Sequence, residues 1–240
     1  MRKLIALAIA GIVSWSLSAC DGNEPPRTPA AEPQRPQDTP NPQNGGGTPP
    51  ASPLVIQVFR EDADVGIAAD INRLDDTGNP HYYATVDDTG TTKLAQPCSA
   101  SDRFQADPKV PAYLRVAPQP CASIVTFRLY SAQATEIMIR VAENDERAGD
   151  FASAQANFGK AAERLQYSKP LEAEQLKVRV NENVGKLLGV QHPTVSVNGK
   201  QTVSPQLSDR IKLYQENAHL PVTGQIDKPT RERLLREKQP

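Results

Sequence analysis

The three histidines, His81, His192 and His219, are the side chains best suited to metal or acid–base work, and each stands alone in the sequence. There is no H-E-x-x-H and no other helical pair at ligand spacing, so a zinc amidase is not expected and no metal or cofactor is assigned. The acidic pairs Glu61-Asp62, Asp75-Asp76 and Asp87-Asp88 offer the hard oxygens that calcium prefers. None follows the spaced D-x-[DN]-x-[DN]-G pattern, and aspartate shortly before glycine is already accounted for by turn chemistry. No G-x-S-x-G elbow, phosphate loop or dinucleotide fingerprint occurs. A glycosidase pair is defined by spacing in the fold, but a chain this segmented offers no obvious large cleft. These residues point away from an enzyme.

The elements around them begin with an export signal. Arg2 and Lys3 form a basic start, Leu4 to Val13 an apolar run too short to span a bilayer, and Ser18-Ala19 the small residues of a cleavage site. Leu17-Ser18-Ala19-Cys20 resembles the bacterial lipobox, which implies cleavage after residue 19 and fatty acyl chains, palmitate among them, on Cys20. Two or three chains exceed what stable anchoring needs, since one chain holds only marginally at about 0.8 kcal/mol per buried methylene. The expected location is therefore the bacterial cell envelope, lipid-anchored and facing the periplasm. Asp21 resembles the retention signal of some inner-membrane lipoproteins, and the sequence leaves inner and outer membrane both open. With Cys20 assigned to lipid, Cys98 and Cys121 remain as an even pair in an oxidising compartment, for which a disulfide is expected and two reduced, buried thiols are the alternative. No free catalytic thiol then remains.

Removal of residues 1–19 leaves 221 of the 240 residues and lowers the basic count from 27 to 25 against 28 acids, a net charge of about −3. Neither a basic stripe nor aromatic-plus-arginine interleaving is present, which argues against nucleic acid. The single tryptophan, Trp15, falls in the signal, so the mature chain lacks the best platform for sugar faces. Residues 20–53 carry ten prolines and Gly45 to Gly47 with almost no large apolar side chain, the composition of a disordered linker. Such a tether of about 32 residues reaches on the order of 100 Å as extended polyproline II and nearer 30 Å as a coil.

Over 54–131 the apolar period becomes short. Leu54 to Arg60, Ile67 to Leu74, His81 to Asp87, Thr91 to Ala95, Asp102 to Ala106, Ala112 to Ala117 and Cys121 to Tyr130 are predicted strands. Turn residues at Asp75 to Pro80, Asp87 to Gly90 and Pro118 to Pro120 separate them, and the count suggests a β-sandwich. The run Ala84-Thr85-Val86-Asp87-Asp88-Thr89-Gly90-Thr91-Thr92-Lys93-Leu94 resembles the T-D-x-x-G-x-x-x-L signature of prealbumin-like repeats related to the carboxypeptidase regulatory domain.

From Ala134 the period is helical. Ile137, Met138, Val141 and Ala142 are predicted to share one buried face, Gly149-Asp150 breaks the chain, and Phe151, Ala154, Phe158, Ala161 and Leu165 form a second face. Over 132–170 the sequence resembles one tetratricopeptide-type hairpin, with Ala142 at the small position and Asp145 where an aromatic is usual. A solenoid needs about three repeats or more, so a packing hairpin that bridges domains is the alternative to a peptide-binding role.

Over 171–240 three helices are expected. The first carries Leu176, Val180, Val184 and Leu187 and ends at Gly189; Val197-Asn198-Gly199 makes a turn; Ser204-Pro205 opens the second, lined by Leu207, Ile211, Tyr214 and Ala218. Asp227 caps the last, with Leu234 and Leu235. The run from Ile211 to Thr230, with Leu220-Pro221-Val222-Thr223-Gly224-Gln225-Ile226-Asp227 at its centre, is similar to the F-Q-x-x-x-G-L-P-V-T-G-x-V-D-x-x-T core of the peptidoglycan-binding domain 1 family. Tyr214 replaces the usual Phe, and Asn217-Ala218-His219 a Gly-containing turn. Gly224 is expected to supply positive φ. The resemblance implies peptidoglycan as partner, with Tyr214, Gln215, Asn217 and Thr223 offering hydroxyl and amide groups to wall sugars or stem peptides. The alternative is a three-helix module turned to protein contact. The chain thus reads as an α+β multidomain protein, a non-enzymatic tether between membrane and wall, or else a scaffold binding envelope proteins.

Overall fold

In the first strand Leu54, Ile56 and Val58 point inward while Val55 and Gln57 remain half-buried, the period-2 pattern of a strand with one core face. The computed structural model describes residues 53–238. The expected export signal, Cys20 and nearly all of the expected linker lie outside them. The first half holds β1 (Leu54–Arg60), β2 (Ala63–Gly66), β3 (Ala69–Leu74), β4 (Pro80–Val86), β5 (Thr91–Leu94), β6 (Arg103–Pro108), β7 (Tyr113–Leu114), β8 (Gln119–Pro120) and β9 (Ile124–Ser131). One sheet runs β2-β1-β9-β7 with β5 also on β1, and the other runs β4-β3-β6-β8. β1 and β9 pair in parallel, from Val55 opposite Ile124 to Arg60 opposite Leu129, and their neighbours pair antiparallel. Leu54, Ile56, Val58, Val125, Phe127 and Leu129 of the first sheet share one core with Ile71, Val86, Phe104 and Ala106 of the second.

The expected strand over Ala112 to Ala117 shrinks to two residues, and the Pro118-Gln119-Pro120 turn also holds the short strand β8. Cys98 and Cys121 sit at disulfide distance, 5.9 Å between Cα atoms, within the range native bridges occupy.

The second half holds α1 (Ala132–Arg147), α2 (Phe151–Leu165), α3 (Pro170–Leu187), the hairpin β10 (Thr194–Val197) and β11 (Lys200–Val203), α4 (Pro205–Asn217) and α5 (Lys228–Lys238). All five helices contribute to one core: Ala142 of α1, Phe158 and Leu165 of α2, Val180 and Val184 of α3, Leu207 and Ile211 of α4, and Leu234 of α5. α2 lies at its centre, touching α1, α3 and α5. Its alanines and Gly159 are what let three helices approach: a Cβ on residue 159 would lie 2.5 Å from Arg231 Nε.

One expected packing face is corrected. Ile137 and Val141 of α1 are 55% and 43% exposed, and the buried positions are Thr135 and Ala142. α1 packs on α2 through one narrow stripe, so the positions flanking that stripe face away from the core. Asp145, at the expected aromatic position, accepts from Asn157 Nδ2 of α2 at 3.3 Å.

The two halves meet where β9 runs straight into α1. Ser131 ends the strand and caps the helix, its Oγ accepting from Ala134 N at 3.2 Å. Tyr130 packs on both cores, Arg164 of α2 lies 4.9 Å from its ring centre, and the same guanidinium reaches Glu61 at 2.7 Å.

The loop closed by Cys98 and Cys121 spans 23 residues, for which chain entropy gives about 3 kcal/mol. Replacing Cys98 and Cys121 together by Ser is expected to lower the free energy of denaturant unfolding by roughly that amount. In the native protein, thiol reagents should label neither Cys98 nor Cys121 until reductant is added.

Candidate functional site

Gln215 is the one polar side chain of α4 that is fully buried, and the loop 220–227 folds around it. Its Oε1 accepts from the backbone N–H groups of Thr223 and Gly224, both at 2.9 Å. Its Nε2 donates to Gln225 O at 3.0 Å, Thr230 Oγ1 at 2.9 Å and Thr223 Oγ1 at 3.0 Å. A carboxamide offers two donors and two lone pairs, and all are engaged. The same network starts α5, where Asp227 Oδ1 accepts from Thr230 N at 3.0 Å, the expected cap.

Sequence determines both ends of this loop. His219 adopts a positive φ of 55°, and the Leu220 N–H donates to Gln215 O at 2.8 Å, the 6→1 bond of a helix that ends in a left-handed residue. Gly224 has φ of 68°, as expected, and a Cβ there would also lie 2.7 Å from Ser208 Oγ. That hydroxyl donates to Gly224 O at 3.1 Å, fixing the loop to the first turn of α4.

Held this way, the loop forms one wall of a groove of about 520 Å³. Gly224, Gln225, Ile226 and Asp227 face it from the loop, Gln201, Thr202 and Val203 from the β10–β11 hairpin, Glu174, Lys177, Val178 and Asn181 from α3, and Ala162, Glu163 and Arg231 from α2 and α5. The hairpin that closes the groove turns at Asn198-Gly199, both at positive φ, the pairing that a two-residue hairpin turn demands. Arg231 crosses Gly159, pairs with Glu163 and donates to Ile226 O at 3.1 Å, while Gln155 Nε2 donates to its backbone carbonyl at 3.0 Å. Lys177 pairs with Glu174 at 2.8 Å, and Lys200 with the same carboxylate at 3.4 Å, so both charge signs border the groove.

Of the four residues expected to offer ligand groups, none lines this groove. Gln215 is committed to holding the loop and has no free hydrogen-bonding capacity. Thr223 is exposed but its hydroxyl belongs to the same network. Tyr214 is half-buried and donates to Glu237 Oε2 at 2.9 Å; burial, then that carboxylate, pushes its phenol well above the usual range. Asn217 is exposed at the end of α4. The groove-lining residues Asn181, Gln201 and Gln225 were not singled out in sequence, because nothing local marks them: they meet only once the hairpin folds across α3.

No family model, curated protein or solved structure matches this chain. The chemistry elsewhere agrees with turn and surface roles. Asp75 accepts from the N–H groups of Thr77 and Asn79 at 2.9 and 2.8 Å and lies 3.2 Å from His81 Nε2; the Thr77 hydroxyl and these amides hold its carboxyl well below the ordinary range. Asp87 does the same for Thr89 N at 3.0 Å. Among the described residues no group of three or more His, Cys, Asp and Glu side chains could hold a metal, and no helix is long and apolar enough to cross a membrane.

Gln215→Ala removes the partner of two backbone donors, one of them buried, and is expected to cost on the order of 3 kcal/mol in unfolding free energy. Amide exchange at Thr223 and Gly224 should rise in this variant ahead of exchange in α2, which reads loop release separately from global unfolding.

Proposed function

We propose that this chain is a non-enzymatic envelope lipoprotein that holds peptidoglycan at one end while Cys20 holds a membrane at the other. The finer architecture in this reading is a prealbumin-like β-sandwich, a tetratricopeptide-like hairpin over 132–170 and a peptidoglycan-binding-like domain over 171–240. The observation that carries it is the loop 220–227: its similarity to the wall-binding motif falls on residues that hold one wall of a groove in place. The scaffold half of that motif is accounted for by Gln215, Gly224 and Asp227, and the groove is where a ligand has room. A pocket of 300–1,000 Å³ is the usual size for a small ligand, and this one falls within it. The Pro-rich stretch then supplies reach between lipid and wall.

Because residues from 132–170 and 171–240 share one core, the test uses the whole mature chain in detergent. It is expected to cosediment with purified sacculi, and recovery entirely in the supernatant would reject the wall as ligand. A second reading, an assembly scaffold for envelope proteins, draws on Ile137 and Val141, which leave an apolar strip on the outer face of α1. Loss of a copurifying protein on Ile137→Glu and Val141→Glu, with sacculus binding absent throughout, is the pattern expected of a scaffold.

A further inference from the structure

Three side-chain carboxamides, Asn181 of α3, Gln201 of β11 and Gln225 of the loop, line the same groove, and none makes a side-chain hydrogen bond among the described residues. Every other polar group that shapes the groove's loop is already committed: Gln215, Thr223, Thr230 and Asp227 to one another, Ser208 to the Gly224 carbonyl. A carboxamide both donates and accepts, which matches the N–H and C=O of a peptide unit. Val178, Val203 and Ile226 add apolar lining to the same groove, suited to small side chains. At the margins Lys177 is paired with Glu174 and Arg231 with Glu163, so the groove's charges are largely balanced within the protein and the unpartnered amides are what remain for a ligand. No aromatic ring lines the groove, so the stacking surface that sugar faces favour is missing.

We propose that this groove takes the peptide stem of the wall, not its glycan, with Asn181, Gln201 and Gln225 reading the peptide amides. The proposal rests on the wall-binding reading above and names which component of the wall is held. It also moves the binding surface from Tyr214, Gln215, Asn217 and Thr223, none of which lines the groove, to residues that do.

The test is calorimetric titration of the full mature chain in detergent with two probes: the stem peptide freed from muropeptides by an amidase, and a soluble N-acetylglucosamine oligomer. The peptide is expected to bind and the oligomer not to. In the double variant Gln201→Ala, Gln225→Ala, whose side chains are exposed and outside the core, peptide affinity is expected to fall about tenfold or more with the unfolding midpoint unchanged. Binding of the oligomer alone, or peptide and sacculus binding by the double variant equal to the unsubstituted chain, overturns the peptide groove while leaving wall binding standing. Absence of sacculus binding by the unsubstituted chain overturns both. Should the double variant unfold early, Asn181→Ala, on a different element, gives the same readout.

Discussion

The C-terminal part of this protein depends on one buried carboxamide. The loop 220–227 contains a proline and a positive-φ glycine and has no secondary structure of its own to satisfy its backbone, and a buried unpaired N–H costs about 1–3 kcal/mol. Gln215 resolves this from the helix side by accepting two N–H groups and donating into the loop and the start of α5. Since α5 is capped by Asp227 and docked on α2 through Arg231, the same side chain indirectly sets where the last helix lies. A loop pinned at this many points can serve as a wall of a binding groove, because its shape does not have to be assembled at the moment of binding.

Around that loop the packing follows from small residues. α2 carries Ala152, Ala154, Ala156, Ala161 and Ala162 with Gly159, and this allows α1, α3 and α5 to lie against it at once. The cost is that α2 has few large side chains to contribute, so Phe158 and Leu165 carry much of its apolar burial. Polar contacts supplement them: Arg179 of α3 lies 4.1 Å from the Phe158 ring centre and bridges to Glu143 and Glu146 of α1. Burial works against charge on Glu146, but Arg179 and Asn183 prevail and keep its carboxyl below the ordinary range. The β half is joined to this body through Ser131, Tyr130 and Arg164, with no free linker between strand and helix.

What could be read in the sequence was whatever local chemistry determines. The strand alternation of Val125, Phe127 and Leu129, the caps Ser204 and Asp227, and the positive φ of Gly224 each follow from a few neighbouring residues, and each appears where expected. Features set by distant contacts could not be read this way. The parallel pairing of β1 with β9 joins residues about 70 apart, and β10 before the Asn198-Gly199 turn alternates over only four residues, too short a run to be distinguished from a loop. The outward turn of Ile137 and Val141 reflects which stripe of α1 meets α2, which helical periodicity alone does not decide. The role of Gln215 was hidden for a related reason: its carboxamide suits ligand contact, and only the fold shows that its loop consumes every hydrogen bond it can make.

Whether the groove walled by this loop faces peptidoglycan in the cell, as proposed, can be read by site-specific crosslinking. A photo-reactive residue at Gln225 in the full-length chain, activated in growing cells, is predicted to yield adducts with the mass of muropeptides after muramidase digestion. Adducts at that position consisting only of protein, with no muropeptide mass, would contradict it.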